Sequence, residues 1–184
     1  NDDGSGGLHV GFFWRANGGT TSTNDEGSIE STVQVDPSGG FSIVTYTANA
    51  ANATIGHGLS RTPSFIWVKK RTSSTGSSNP IVWAKGLGTD TRGYVYLDGT
   101  GAAGADSLWN NTAPTSDVFS VNSGTTEVNN PSGATYIAYC FADTEGYIKS
   151  GVYSGTGRVD GGFAYTGFEP AFIMVKAIAS GTDW

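Results

Sequence analysis

A chain of 184 residues is long enough for one large or two small domains. Only 14% of it is charged, 12% is aromatic and 28 residues are glycine, which argues against a disordered chain and, with few helix formers, points to an all-β fold. The formal charge of −6, with Lys69-Lys70-Arg71 as the one basic cluster, argues against nucleic acid as a principal ligand, and no apolar run is long enough to insert into a membrane.

Residues 1–40 are rich in Gly, Ser, Thr, Asn and Asp and read as an extended N-terminal arm or linker. Within them, Leu8-His9-Val10-Gly11-Phe12-Phe13-Trp14 reads as a short strand whose aromatics need a surface, docked on or exchanged with a neighbouring chain. Ser31–Val35 alternates polar and apolar and reads as an edge strand ending at the Asp36-Pro37-Ser38-Gly39-Gly40 turn. Phe41–Tyr46 alternates and is β-branched, so one face should be buried. The glycines of Thr54-Ile55-Gly56-His57-Gly58-Leu59 predict a bulged or sharply bent strand. Continuous apolar character from Phe65 to Val68 predicts a strand covered on both faces. Strands are also expected over Pro80–Lys85, Gly93–Leu97, Asp117–Val121 and Thr135–Ala142, with a turn at Asn110–Pro114 and a connector over Asp143–Lys149. Short strands at this spacing predict a β-sandwich or jelly roll over residues 41–148.

The chain then begins to repeat itself. Tyr46 precedes Pro63-Ser64-Phe65-Ile66-Trp67-Val68-Lys69 by 17 residues, and Tyr153 precedes Pro170-Ala171-Phe172-Ile173-Met174-Val175-Lys176 by the same interval. Six residue types recur in phase at an offset of about 107 residues. Residues 149–184 therefore read as the truncated start of a second unit, a tandem domain in preference to the partner sheet of one pseudo-symmetric sandwich, and the chain as part of a longer repetitive protein. That organisation favours structure and adhesion over catalysis.

Chemistry is hard to find in the residues. His9 and His57 are the two histidines, and no G-x-S-x-G elbow accompanies them, so His57 reads as a hydrogen-bonding residue in a tight bend. One cysteine and two distant histidines cannot form a zinc site. Asn1-Asp2-Asp3-Gly4-Ser5-Gly6 has calcium-binding residue types without the acidic spacing or the bidentate Glu. No phosphate loop is present, and Asp143 and Glu145 read as solvated connector carboxylates. No cofactor or metal is expected. Cys140, in an apolar run without a flanking base, reads as a small buried hydrophobe. Trp67, Trp83, Tyr94 and Trp109 could form a platform for a sugar ring, with Trp83, Tyr94 and Trp109 the contact candidates; the competing reading, that mid-strand tryptophans are core, carries more weight.

Gly40-Phe41-Ser42-Ile43-Val44-Thr45-Tyr46-Thr47, Ile55-Gly56-His57-Gly58-Leu59, Trp109-Asn110-Asn111-Thr112-Ala113-Pro114, Thr135-Tyr136-Ile137-Ala138-Tyr139-Cys140-Phe141-Ala142 and Phe163–Pro170, together with Pro63–Lys69, resemble a β-rich domain of bacteriophage virion proteins, common in phages of marine bacteria. The resemblance covers about Ser31 to Trp184, and its strand rhythm is similar to concanavalin-like sandwiches. It implies a non-enzymatic virion surface component: a tail fibre, appendage or capsid decoration. It also implies homotrimers, contacts with other virion proteins and a host-attachment role through a surface glycan. Members usually complete the second repeat, which is where this chain departs. The alternative from the residues is a cellular carbohydrate-binding or adhesin sandwich, with an enzyme such as a surface-glycan depolymerase behind it.

Overall fold

The computed structural model describes residues 14–72, 79–88 and 91–179. Among them the fold is an all-β sandwich with ten strands and only two short 3-10 turns. The large sheet holds eight strands. In chain order these are β1 (Ser22–Asn24), β2 (Ser31–Val35), β3 (Phe41–Thr47), β5 (Phe65–Lys70), β6 (Ile81–Ala84), β7 (Gly93–Tyr96), β8 (Gly104–Ala105) and β10 (Thr135–Phe141). The two remaining strands, β4 (Ala53–Gly56) and β9 (Val118–Val121), pair into a small sheet.

The large sheet runs β1-β2-β3-β10-β5-β6-β7-β8, with antiparallel pairing throughout. The last strand is thus central. β10 wedges between β3 and β5, placing Tyr136 opposite Tyr46 and Lys70, and Phe141 opposite Phe41 and Phe65. Twice the chain leaves this sheet to form the opposite layer, once through β4 and once through β9, and twice it returns. The second layer is therefore made by residues of the first repeat.

Strand periodicity sorts the side chains. The inner rows are Val33-Val44-Ala138-Val68-Ile81 and Ser42-Cys140-Ile66-Trp83, all nearly inaccessible to solvent. They pack in one cluster with Ala53, Ile55, Phe119 and Val121 of the small sheet and with Leu59, Leu108, Trp109 and Val128 from the loops. Burying a large aliphatic or aromatic side chain contributes about 1.5–3 kcal/mol. This interior is the main source of stability. The Tyr46 and Tyr136 rings stack at 5.3 Å and 11°, and both hydroxyls reach into the 122–134 loop: Tyr46 donates to the Val128 carbonyl at 2.6 Å and Tyr136 accepts from the Asn130 N–H at 3.2 Å.

Most expected strands lie where alternation placed them, and the differences have physical causes. Ser31–Val35 is not an edge: β1 pairs outside it, Ser22 facing Val33. Residues 22–40 are therefore part of the sandwich instead of a free arm. Ile29, 8% exposed, bridges to Ile55, and a Cβ on Gly27 would sit 2.4 Å from the Thr54 carbonyl oxygen, so only glycine allows that approach. β5 is not covered equally on its two faces; its residues alternate between half-buried and buried. The Leu8–Trp14 strand lies outside the described residues except for Trp14. The second copy of the repeat, followed through residue 179, forms no strand. Phe65 sits in β5, while its counterpart Phe172 lies in irregular chain and is 44% exposed.

Candidate interaction surface

The outer face of the large sheet carries two apolar rows. Ile43, Tyr139, Trp67, Val82 and Val95 form one, and Phe41, Phe141, Phe65 and Ala84 the other. Trp67 packs on Tyr139 at 5.0 Å, Phe41 on Phe141 at 4.7 Å, and Phe65 edge-on to Phe141 at 5.7 Å. Val82, Leu87 and Val95 make a small buried cluster here, flanked by Phe65, Trp67, Ala84, Leu97 and Ala103. The Trp67 indole Nε1 is covered by protein yet has no hydrogen-bond partner among the described residues.

Over this face passes the chain that follows β10. Asp143 opens the connector: burial pushes its carboxyl up, but bonds from the Ser150 N–H (2.9 Å), Ser64 and Lys149 Nζ (3.1 Å) outweigh that and hold it below its ordinary range. A tight hairpin pairs Thr144 with Ile148. From Gly151 onward the arm is mostly exposed, and contacts with the sandwich tie it down. The Val152 side chain covers Gly86, lying 3.3 Å from where a Cβ there would stand. Phe172 meets Trp14 edge-on at 5.6 Å, and Trp14 meets Phe141 at 6.2 Å. The Ala103 N–H, beside β8, donates to the Ile178 carbonyl at 3.0 Å. Even so, Val159, Phe163, Tyr165 and Ile173 stay 111%, 88%, 77% and 68% exposed, and Met174 and Val175 more than 40%. Exposed apolar side chains gathered in one segment mark an interaction site.

The reactive residue types lie elsewhere. His57 is fully buried after β4: its Nδ1 accepts from the Leu59 N–H at 3.2 Å, which leaves Nε2 to donate to the Thr115 carbonyl at 3.3 Å. Burial lowers its pKa, against the Thr115 bond and the Glu26 and Asp117 carboxylates, and both ring nitrogens are occupied. Cys140 is buried in the core, where burial pushes its thiol up to about 12 with Ser42 opposing. Of the sugar-platform candidates, Trp83 and Trp109 are 3% and 2% exposed, with Trp109 Nε1 donating to the Gly93 carbonyl at 3.0 Å. Neither offers a ring face to solvent. Tyr94 is half-buried beside Tyr96, at the rim of the core. The structure thus brings Trp83, Tyr94 and Trp109 together as packing, and the aromatic surface that reaches outward is Trp14, Trp67, Tyr139 and the arm. His9 and Asp2-Asp3 lie outside the described residues.

A cleft of about 290 Å³ lies between the 143–149 connector and Tyr165-Thr166-Gly167. Its charged groups, Asp143, Glu145 and Lys149, include the Asp143–Lys149 ion pair already described. Among the described residues no group of His, Cys, Asp and Glu could hold a metal ion.

Fold and surface together define a β-sandwich scaffold presenting an apolar arm. The chain belongs to a family described as a domain of unknown function (DUF7483), whose model matches residues 1–184. No curated protein and no solved structure matches it.

Proposed function

We propose that the chain is a non-enzymatic, self-associating structural module of a bacteriophage particle, a tail fibre or other surface appendage with a role in host attachment. The observation that carries this reading is the arm. Among the described residues, eleven of the twelve large exposed hydrophobics fall between Tyr147 and Ile178, in the stretch whose sequence repeats the Tyr-Pro-Phe-Ile-Val-Lys pattern of the first unit. Surface of that composition calls for a protein neighbour, and a chain that repeats its own strand sequence is built to be stacked or paired with more of itself. A particle outside the cell also needs slow unfolding without disulfides, which suits a dry two-layer core closed by a long-range central strand. Homotrimers are the assembly favoured, with other virion proteins as further neighbours.

The alternative of a glycan-binding adhesin module keeps one specific support, the outward pair Trp67 and Tyr139, since sugar rings stack on such faces. The decisive experiment is gold-labelled antibody against this chain on phage particles in electron micrographs. Label confined to appendages or shell is the expected result. Particles without label, with the protein recovered from host cells alone, would overturn the proposal.

A further inference from the structure

The arm divides into two parts with different physics. Gly151, Gly155, Gly157, Gly161 and Gly162 fall within its first half, and around the first four of these no atom outside the local chain comes within 4 Å of where a side chain would begin. Such a stretch has little to hold it in one path, since each glycine is conformationally permissive and only Gly162 lies close to other chain, the Ser154 carbonyl. Beyond it, residues 163–179 carry the apolar load. That part reaches the sandwich at the Trp14 ring through Phe172 and at the β8 side of the sheet through Ile178. Six residues of extended chain span about 20 Å, close to the four inter-strand spacings, about 19 Å, separating β10 from β8. The reach therefore matches the two anchor points.

The seat fits the arm, yet the arm keeps most of its apolar surface in water. Phe163, Tyr165 and Ile173 are each more than 65% exposed, although Phe172–Lys176 has the same apolar pattern as β5, a strand that lies between two neighbours in the sheet. A glycine-rich, loosely packed hinge, a seat of matching length and an under-buried strand sequence are the ingredients of an exchanged element, because the same contacts form equally well with the seat of another molecule. Every copy carries that seat already shaped for this segment, which singles out a second copy of the chain as the occupant.

We propose that residues 163–179 are exchanged between copies of this chain, the arm of one lying on Trp14 and the β8 edge of the next. Exchange leaves the Phe172–Trp14 and Ile178–Ala103 contacts intact while bringing two or more arms side by side, where Phe163, Tyr165, Ile173 and Val175 cover one another. The inference rests on the self-associating reading above and adds to it which segment joins the copies and where it lands.

Two single variants, Ala103→Cys and Ile178→Cys, decide it when coexpressed and treated with a short bismaleimide, with each variant alone as the blank and the double variant A103C/I178C beside them; Cys140 is buried and stays unreacted in the folded protein. Exchange predicts a covalent dimer in the mixed sample above both blanks, and covalent oligomers from the double variant. A cross-linked monomer from the double variant with no mixed dimer overturns the exchange, and so does the absence of any cross-link. Light scattering on the unaltered chain separates the two claims. An oligomer whose cross-link stays within one chain refutes the exchange and leaves self-association standing, whereas a monomer refutes both.

Discussion

Removing one hydroxyl, in Tyr136→Phe, tests how the sandwich holds its longest described loop. The Tyr136 ring is fully buried on β10 and stays in place in the variant, so the cavity created is small. What disappears is the oxygen that accepts from the Asn130 N–H at 3.2 Å and lies 2.7 Å from both the Thr126 and Asn130 carbonyls, to one of which it donates at a time. Leaving a covered donor and acceptor without a partner costs about 1–3 kcal/mol. For a domain of this size each kcal/mol lowers Tm by about 2–4 °C, so the midpoint should fall by about 2–12 °C. Tyr46→Phe removes a single bond to the Val128 carbonyl and should cost about 1 kcal/mol. Because both hydroxyls hang the same loop, the double variant should lose less than the two singles together, by about 0.5 kcal/mol or more. Urea unfolding followed by tryptophan fluorescence measures all three. A Tyr136→Phe variant within about 0.5 kcal/mol of the parent, inside the range of an ordinary surface change, would refute the reasoning.

Other outcomes follow from the same structure. His57 has a lowered pKa in the folded state, so the unfolded chain takes up a proton first. Stability should be full above about pH 6.5 and decline as pH falls through the folded value, and His57→Gln should flatten that slope in urea titrations at pH 7.5 and 5.5. The Tyr136 hydroxyl, raised by burial to about 12, works in the other direction: stability present below pH 10 should fall as pH rises from about 10 to 12, and less so in Tyr136→Phe. Trp67→Phe removes an unpaired indole N–H and should cost under about 1.5 kcal/mol, whereas Trp109→Phe breaks the bond to Gly93 in the core and should cost at least about 2 kcal/mol; equal losses in thermal melts would contradict the difference in their surroundings. Cys140 should react with a thiol reagent only at the rate of unfolding.

The strands with strong alternation were legible from the residues. β3, β5 and β10 could be read because β-branched and aromatic side chains repeat every second position. β1 and β8 could not, since Ser22-Thr23-Asn24 and Gly104-Ala105 have turn-like composition and become strands only because a neighbour offers its edge. Pairing was equally hidden: nothing in Thr135–Phe141 says that it enters between β3 and β5, for that order is set by how the two layers close. The fate of the second copy makes the same point from the other side. Phe172–Lys176 has the apolar pattern of β5 and, among the described residues, no strand neighbours, and a strand without neighbours stays irregular. Among the aromatics, composition alone could not separate Trp83 and Trp109, which fill the core, from Trp67 and Trp14, which face outward; the parity of the strand and a distant contact decide it.

The proposed self-association depends on the arm as the surface through which the chain meets its own kind. Light scattering after size exclusion, run on the parent and on a variant carrying Phe163→Ser, Ile173→Ser and Val175→Ser, tests that most directly. These side chains are exposed, so the variant should fold with an unchanged midpoint and run as a monomer where the parent runs as an oligomer. A parent that is monomeric across the concentrations tested, or a variant that assembles as the parent does, would contradict it.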